Sequence, residues 1–320
     1  MSTPAAFTME RELSSGSFRR QQSRFRRSVV DEPGAEFPAV AGRYHLYVSL
    51  ACPWSQRVAI VRVLKGLEEV VGISYVDPFR DERGWAFTGE RFEDGPGGLY
   101  ADQLHDWPLL SSAYEATEST YDGRVSVPVL WDSVSGQIVS NESADIVRMF
   151  NSSASLGALG SGPDLFPQAL RDEIERVNER VYETVNNGVY AAGFARTQDA
   201  YETAFARLFE SLQWLEELLG ERRYVAGDLV SEADWRLFAT LVRFDEVYHV
   251  HFRCNRRRIV EYPRLWAYTR ELYQWPGVAD TVAMAQIKRH YYTTHDELNP
   301  THIIPLGPAP DFLTPHGRGA

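Results

Sequence analysis

The 320-residue chain has only two cysteines, Cys52 and Cys254. That excludes a disulfide scaffold and a cysteine-rich zinc domain, and it suits a reducing compartment. Long apolar runs are missing too: nothing approaches the roughly 18–20 uninterrupted residues of a membrane span. The start, MSTPAAFTMERELSSGSF, has no basic stretch followed by an apolar one, so no secretory signal is expected and the reading is cytoplasmic. Positive charge is in deficit, with 33 Lys plus Arg against 44 Asp plus Glu and a net charge of −11 at pH 7. Such a chain lacks the positive footprint of a general nucleic-acid binder. There is no H-E-x-x-H, and His290 and His295 do not share a helical face, so no metal site is expected. His249 and His251 read as structural or hydrogen-bonding residues. A phosphate loop and a dinucleotide fingerprint are absent as well.

What is abundant is aromatic surface: 8 Trp, 16 Tyr and 16 Phe supply cores and pockets for flat substrates. The length corresponds to about two domains. Residues 1–40 show little periodicity and carry Arg19, Arg20, Arg24, Arg26 and Arg27. Either they form an anion or nucleic-acid patch, or they belong to a solvated arm over an acidic body; the second is favoured.

From Tyr44 the texture changes. YHLYVS (44–49) alternates like a strand. Pro53 suits the first turn of a helix, and Trp54, Val58, Val61 and Leu64 predict one buried stripe that stops at Gly66. VVGISYVD (70–77) reads as a second strand, 78–122 as a loop-rich insertion, and VSVPVLWD (125–132) with GQIVSN (136–141) as a hairpin. ESADIVRMF (142–150) follows as a helix with Asn141 as N-cap. Strand, helix, strand, insertion, strand, strand, helix is the order of an α/β thioredoxin-like domain. The Gly-, Ser- and Pro-rich stretch 151–168 predicts a linker. Beyond it the spacing is helical: Leu170 to Val185, then Tyr201 to Leu219, with a capping box at Ser231–Asp234. The expected organisation is an extension at 1–40, a thioredoxin-like domain at 41–155, an all-α domain at 165–300, and an irregular tail at 301–320.

Cys52 is the strongest chemical signal. At a strand-to-helix junction, free amides and the helix dipole favour a thiolate. Ser55 stands where a dithiol motif has its second cysteine, so any redox chemistry takes its second thiol from outside, and glutathione is the usual cytosolic donor. Cys254 lies in an arginine-rich stretch taken as helical and reads as structural. Val127-Pro128 is a second signal: a cis proline here leaves the preceding backbone free to pair with a peptide. Glu142-Ser143 is a third. The Ser143 amide and hydroxyl suit a carboxylate and Glu142 an ammonium, and the γ-glutamyl end of glutathione carries both.

Together, Cys52-Pro53-Trp54-Ser55, Val127-Pro128 and Glu142-Ser143 resemble a cysteine-type glutathione transferase. AGFARTQDAYE (192–202), SEADWRLFATLVRFDEVYHVHFRCN (231–255), YPRLWAYTRELYQWPGV (262–278) and IKRHYYTTH (287–295) narrow this to the xi class, the glutathionyl-hydroquinone reductases. The likeness runs from GSFRRQQSRFR (16–26) to NPTHIIPLGP (299–308). It implies a thioredoxin-like domain followed by an all-helical one, and reduction of glutathionyl-hydroquinones with glutathione as co-substrate, without metal or flavin. It also implies a homodimer. Cys52 would be the nucleophile and Trp85 would pack on glutathione. Arg124, Val125, Ser126 and Val127, with Glu142 and Ser143, would bind glutathione. Tyr190 would be the proton donor. Tyr248 and Tyr291, the latter with Tyr292 as its alternative, would favour the thiolate. Two other functions stay open: an omega-like thiol transferase or dehydroascorbate reductase, and a non-catalytic interaction module.

Overall fold

The computed structural model describes residues 13–14, 17–18 and 20–319; Arg19 and most of the first eighteen residues, including part of the 16–26 motif, lie outside the described residues. The chain divides into two units. Among the described residues, one is built from 21–164 together with 280–294, the other from the arm residues up to Arg20, 165–279 and 295–319. In the arm, two short strands, β1 (Leu13–Ser14) and β2 (Ser17–Phe18), pair antiparallel.

The first unit is organised by a four-stranded sheet. β3 (Tyr44–Val48) is buried along its whole length. β4 (Val71–Tyr75) pairs with it in parallel, with Leu46 opposite Ile73. Parallel pairing demands a crossover, which α1 (Pro53–Leu64) supplies. β5 (Val129–Asp132) runs antiparallel to β3 and β6 (Gln137–Ser140) antiparallel to β5, giving the order β4-β3-β5-β6. This is the thioredoxin-like arrangement expected from the order of elements. Leu46, Val58, Val61, Val129, Leu130 and Ile138 are fully buried, and each such side chain contributes roughly 1.5–3 kcal/mol of transfer free energy.

Several local expectations are corrected. α1 has no single buried stripe: residues 55–62 are all buried, whereas Trp54 and Leu64 are half-exposed. Along 55–62 the helix is covered on more than one face: the sheet lies on one side and Gln56 donates to the Thr281 carbonyl at 3.2 Å on another. Segment 78–122 is loop-rich as expected, and to that reading the structure adds one short helix, α2 (Ser111–Thr117). α3 (Ser143–Asn151) is capped by Glu142, whose carboxylate accepts from the Ala144 amide at 3.1 Å. Asn141 is not the cap; its side chain is drawn away to accept from the Phe25 amide at 3.1 Å. Residues 280–294, expected in the helical domain, pack with the first unit for reasons given below.

Arg24, Arg26 and Arg27 follow the favoured reading of an arm over an acidic body. Arg27 donates its amide to the Val139 carbonyl at 3.0 Å along the β6 edge. Arg26 forms a bidentate pair with Asp145 at 2.7 and 2.8 Å, Arg24 meets Glu118 and Asp122, and Arg27 meets Glu36.

The second unit is helical. α4 (Arg171–Val181) was expected to run to Val185, but at Tyr182–Asn186 it widens into a π-turn, with the Asn187 amide bonding the Tyr182 carbonyl at 2.9 Å. Then follow α5 (Gly188–Gly193), α6 (Gln198–Leu218) and α7 (Glu232–Arg243), a second π-turn at Phe244–Tyr248, and α8 (Pro263–Tyr273). The Ser231–Asp234 capping box forms, with Asp234 accepting from the Ser231 amide at 2.7 Å. Gly193 is required by close approach: a Cβ there would lie 2.3 Å from the Phe252 ring. The stretch beyond Pro305 is irregular, as expected. Among the described residues no helix is long and apolar enough to cross a membrane.

Candidate active site

Cys52 is the N-cap of α1, with extended backbone (φ −83°, ψ 123°) and Pro53 as the first helical residue. Its thiol makes no cap bond; Sγ lies 3.8 Å from the Val127 carbonyl oxygen. Cys52 stands at the strand-to-helix junction read from the sequence, after β3 and at the positive end of the α1 dipole. The side chain is half-buried, whereas Cys254 is fully buried. Cys254 lies in coil rather than in a helix, its amide tied to the Tyr248 carbonyl at 3.0 Å. Burial pushes its thiol well above the ordinary cysteine range, which makes it a poor nucleophile. Ser55 is buried and accepts from the Ser49 amide at 3.4 Å.

The Val127-Pro128 peptide is cis. Ladder pairing of β5 with β3 begins only at Val129, so residues 124–127 lie outside the sheet. Two tyrosines hold them there. Tyr121 donates to the Arg124 carbonyl at 2.7 Å. Tyr114 donates to the Ser126 carbonyl at 2.7 Å and accepts from the Ser126 amide at 3.1 Å. Cys52 and Val125 pack against a cluster that includes Trp85, Tyr114, Tyr121 and Val127. Four of the expected site residues are thereby brought together. Trp85 is only 5% exposed, its indole stacked on His290 at 5.2 Å and 21°.

Glu142 and Ser143 sit at the N-terminus of α3, as expected, but with a partner the sequence reading missed. Arg57, fully enclosed on α1, donates from Nε and Nη2 to Ser143 Oγ at 3.0 and 2.5 Å and stands 3.6 Å from Glu142. Its signal was available: an arginine four residues after Pro53, placed directly before the apolar run Val58–Val61. Glu142 also accepts from Ser23 Oγ at 2.9 Å.

The three expected tyrosines divide between the units. Tyr190 on α5 and Tyr248, the last residue of the second π-turn, share one aromatic cluster, their ring centroids 6.0 Å apart, with Phe252 5.3 Å from Tyr190. π-turns recur at functional positions. The Arg20 guanidinium lies 4.9 Å over the Tyr190 ring and donates to Asn187 at 3.1 Å. Close by, His251 and His295 share a 3.1 Å hydrogen bond. Tyr291 belongs to α9 (Met284–Thr294) in the first unit; it and Tyr292 are both buried.

Comparison with known proteins agrees with this architecture. Residues 51–153 match the glutathione S-transferase N-terminal domain and residues 198–271 the C-terminal domain. That defines the class of the fold. Glutathionyl-hydroquinone reductase YqjG of Escherichia coli K12 is 47% identical over 311 residues, covering 95% of this chain and 92% of the relative. Glutathionyl-hydroquinone reductase PcpF of Sphingobium chlorophenolicum is 47% identical over 298 residues, 92% of this chain and 91% of the relative. The glutathione-bound structure of YqjG superposes with a TM-score of 0.86 at 46% identity, covering 92% of this chain and 96% of that one. The xi-class transferase of Natrialba magadii gives 0.88 at 46% identity, over 92% and 88%. The chain belongs to the glutathione S-transferase family, in its xi class.

Proposed function

We propose that this protein reduces glutathionyl-hydroquinones, with glutathione as co-substrate, in the cytoplasm and as a homodimer. The observation that carries the reading is Cys52: the half-exposed cysteine, alone at the α1 N-terminus, beside the cis Val127-Pro128 peptide. The names of the two reductases at 47% identity support it.

The Cys52 thiolate attacks the glutathione sulfur of the substrate thioether. A Cys52–glutathione disulfide forms as the carbon–sulfur bond to the ring breaks. The ring takes the electron pair and needs a proton, which the Tyr190 phenol donates. A second glutathione thiolate attacks the mixed disulfide, giving oxidised glutathione and regenerating the Cys52 thiolate. In this reading the backbone of Arg124 to Val127 pairs with the cysteinyl part, and the Ser143 amide and hydroxyl hold the γ-glutamyl carboxylate. Glu142 holds its ammonium, Trp85 packs on the peptide, and Tyr248 and Tyr291 stabilise the thiolate. Such a site suits natural and chlorinated quinones alike, consistent with quinone detoxification. Substituting Cys52→Ala should abolish turnover of glutathionyl-hydroquinones; retained turnover would refute the scheme.

A further inference from the structure

α9 has no N-cap of its own. The residue before it is Ala283, among the poorest caps, and its first turn contains no acidic side chain. The missing acceptor comes from far away in sequence. Asp94 accepts from the Ala285 amide at 2.7 Å and the Gln286 amide at 3.4 Å, and its carbonyl takes the Gln286 side chain at 2.8 Å. One turn further on, Arg289 pairs with Glu93 at 2.7 Å and Asp77 at 3.5 Å. His290 donates from Nδ1 to the Pro78 carbonyl at 2.7 Å and stacks on Trp85. The segment from Asp77 to Asp94 thus grips α9 at three successive points and carries Trp85 as well. This is why 280–294 belongs to the unit that contains Cys52.

We propose that Asp94 is a positioning residue for the reaction: by capping α9 it fixes Tyr291 where that phenol sustains the Cys52 thiolate. The inference rests on the role given to Tyr291 above, and it deepens it. Asp94 touches no reacting atom; it acts through the helix, and a loosened first turn shifts every side chain beyond it.

The test measures alkylation of Cys52 by iodoacetamide against pH in the full chain, followed on the Cys52 peptide by mass spectrometry. Asp94→Ala should slow alkylation at pH 7 by up to about fivefold, the most that the ~1 kcal/mol of a lost cap can transmit to the site. Asp94→Asn keeps an acceptor and should stay within about twofold of wild type. In a Tyr291→Phe background Asp94→Ala should add nothing. Arg289→Gln, which loosens the same helix without removing the cap, should shift alkylation in the same direction and stands in if Asp94→Ala does not fold. A wild-type alkylation profile in these variants, or a full further loss on top of Tyr291→Phe, would overturn the proposal. The readout needs no hydroquinone, so a failure of the reductase reading shows separately, as absent turnover beside an intact alkylation pattern.

Discussion

Arg57→Met is the substitution that most directly probes how the site takes an anionic peptide. Arg57 is 2% exposed, and its two donors to Ser143 Oγ occupy the lone pairs of that hydroxyl. The hydroxyl proton is therefore left to point elsewhere, as a donor. With the Ser143 amide and the α3 dipole, that builds a carboxylate seat. Methionine keeps much of the aliphatic volume but supplies no donor, so the hydroxyl reorients and Glu142 loses a nearby positive charge. Hydrogen bonds from a charged donor are worth about 1.5–3 kcal/mol each. If one bond's worth reaches the ligand, affinity for glutathione falls by about 10- to 100-fold. The loss within the fold itself is of similar size, about 2–3 kcal/mol, which for units of this size lowers Tm by roughly 4–12 °C. Calorimetric titration with glutathione, run beside thermal melts, separates the two effects. A lowered Tm with glutathione affinity unchanged within twofold would refute the reasoning, reducing Arg57 to a structural cation and Ser143 to a capping residue.

Two further outcomes are expected. Burial lowers His45 and His251 to about 4, so both are neutral in the folded chain while their unfolded counterparts take up protons near pH 6.5. Their contribution is full above pH 6.5 and is lost as pH falls toward 4, about 3 kcal/mol for each. Melts from pH 8 to pH 4 should show flat Tm at the top and a decline below 6.5, shallower in His45→Gln; a Tm independent of pH would contradict it. Tyr190→Phe should cut turnover of glutathionyl-hydroquinones about 100-fold or more while reduction of a simple glutathione mixed disulfide survives. Loss of less than about threefold on the hydroquinones would favour an omega-like thiol transferase instead.

The parts of the site that were legible in the sequence are those whose physics is local. Cys52-Pro53 announces itself because proline fixes the first helical turn and the strand before it alternates. Ser143 stands at a helix start because the apolar pattern begins there, although the cap proved to be Glu142, one residue on from Asn141. Asn141 was misread because its preferred partner, the Phe25 amide, is remote in sequence. Tyr114 and Tyr121 gave no signal among the tyrosines, since their role is to hold Arg124 and Ser126 after the chain has folded back. The π-turns at Tyr182–Asn186 and Phe244–Tyr248 were likewise invisible: they leave helical periodicity almost intact while changing where the next residues point.

The sequence by itself determined the order of elements and the place of Cys52 at a strand-to-helix junction, with Ser55 rather than a second cysteine beside it, because these features are local. The tertiary structure alone decided what surrounds that cysteine. It put Arg57 behind Ser143, set Trp85 on His290, and drew α9 into the first unit through Asp94. Asp94 and Ala285, for example, are 191 positions apart. No local propensity specifies such contacts, because the free energy that selects them comes from satisfying buried donors and a bare helix end once both segments are packed.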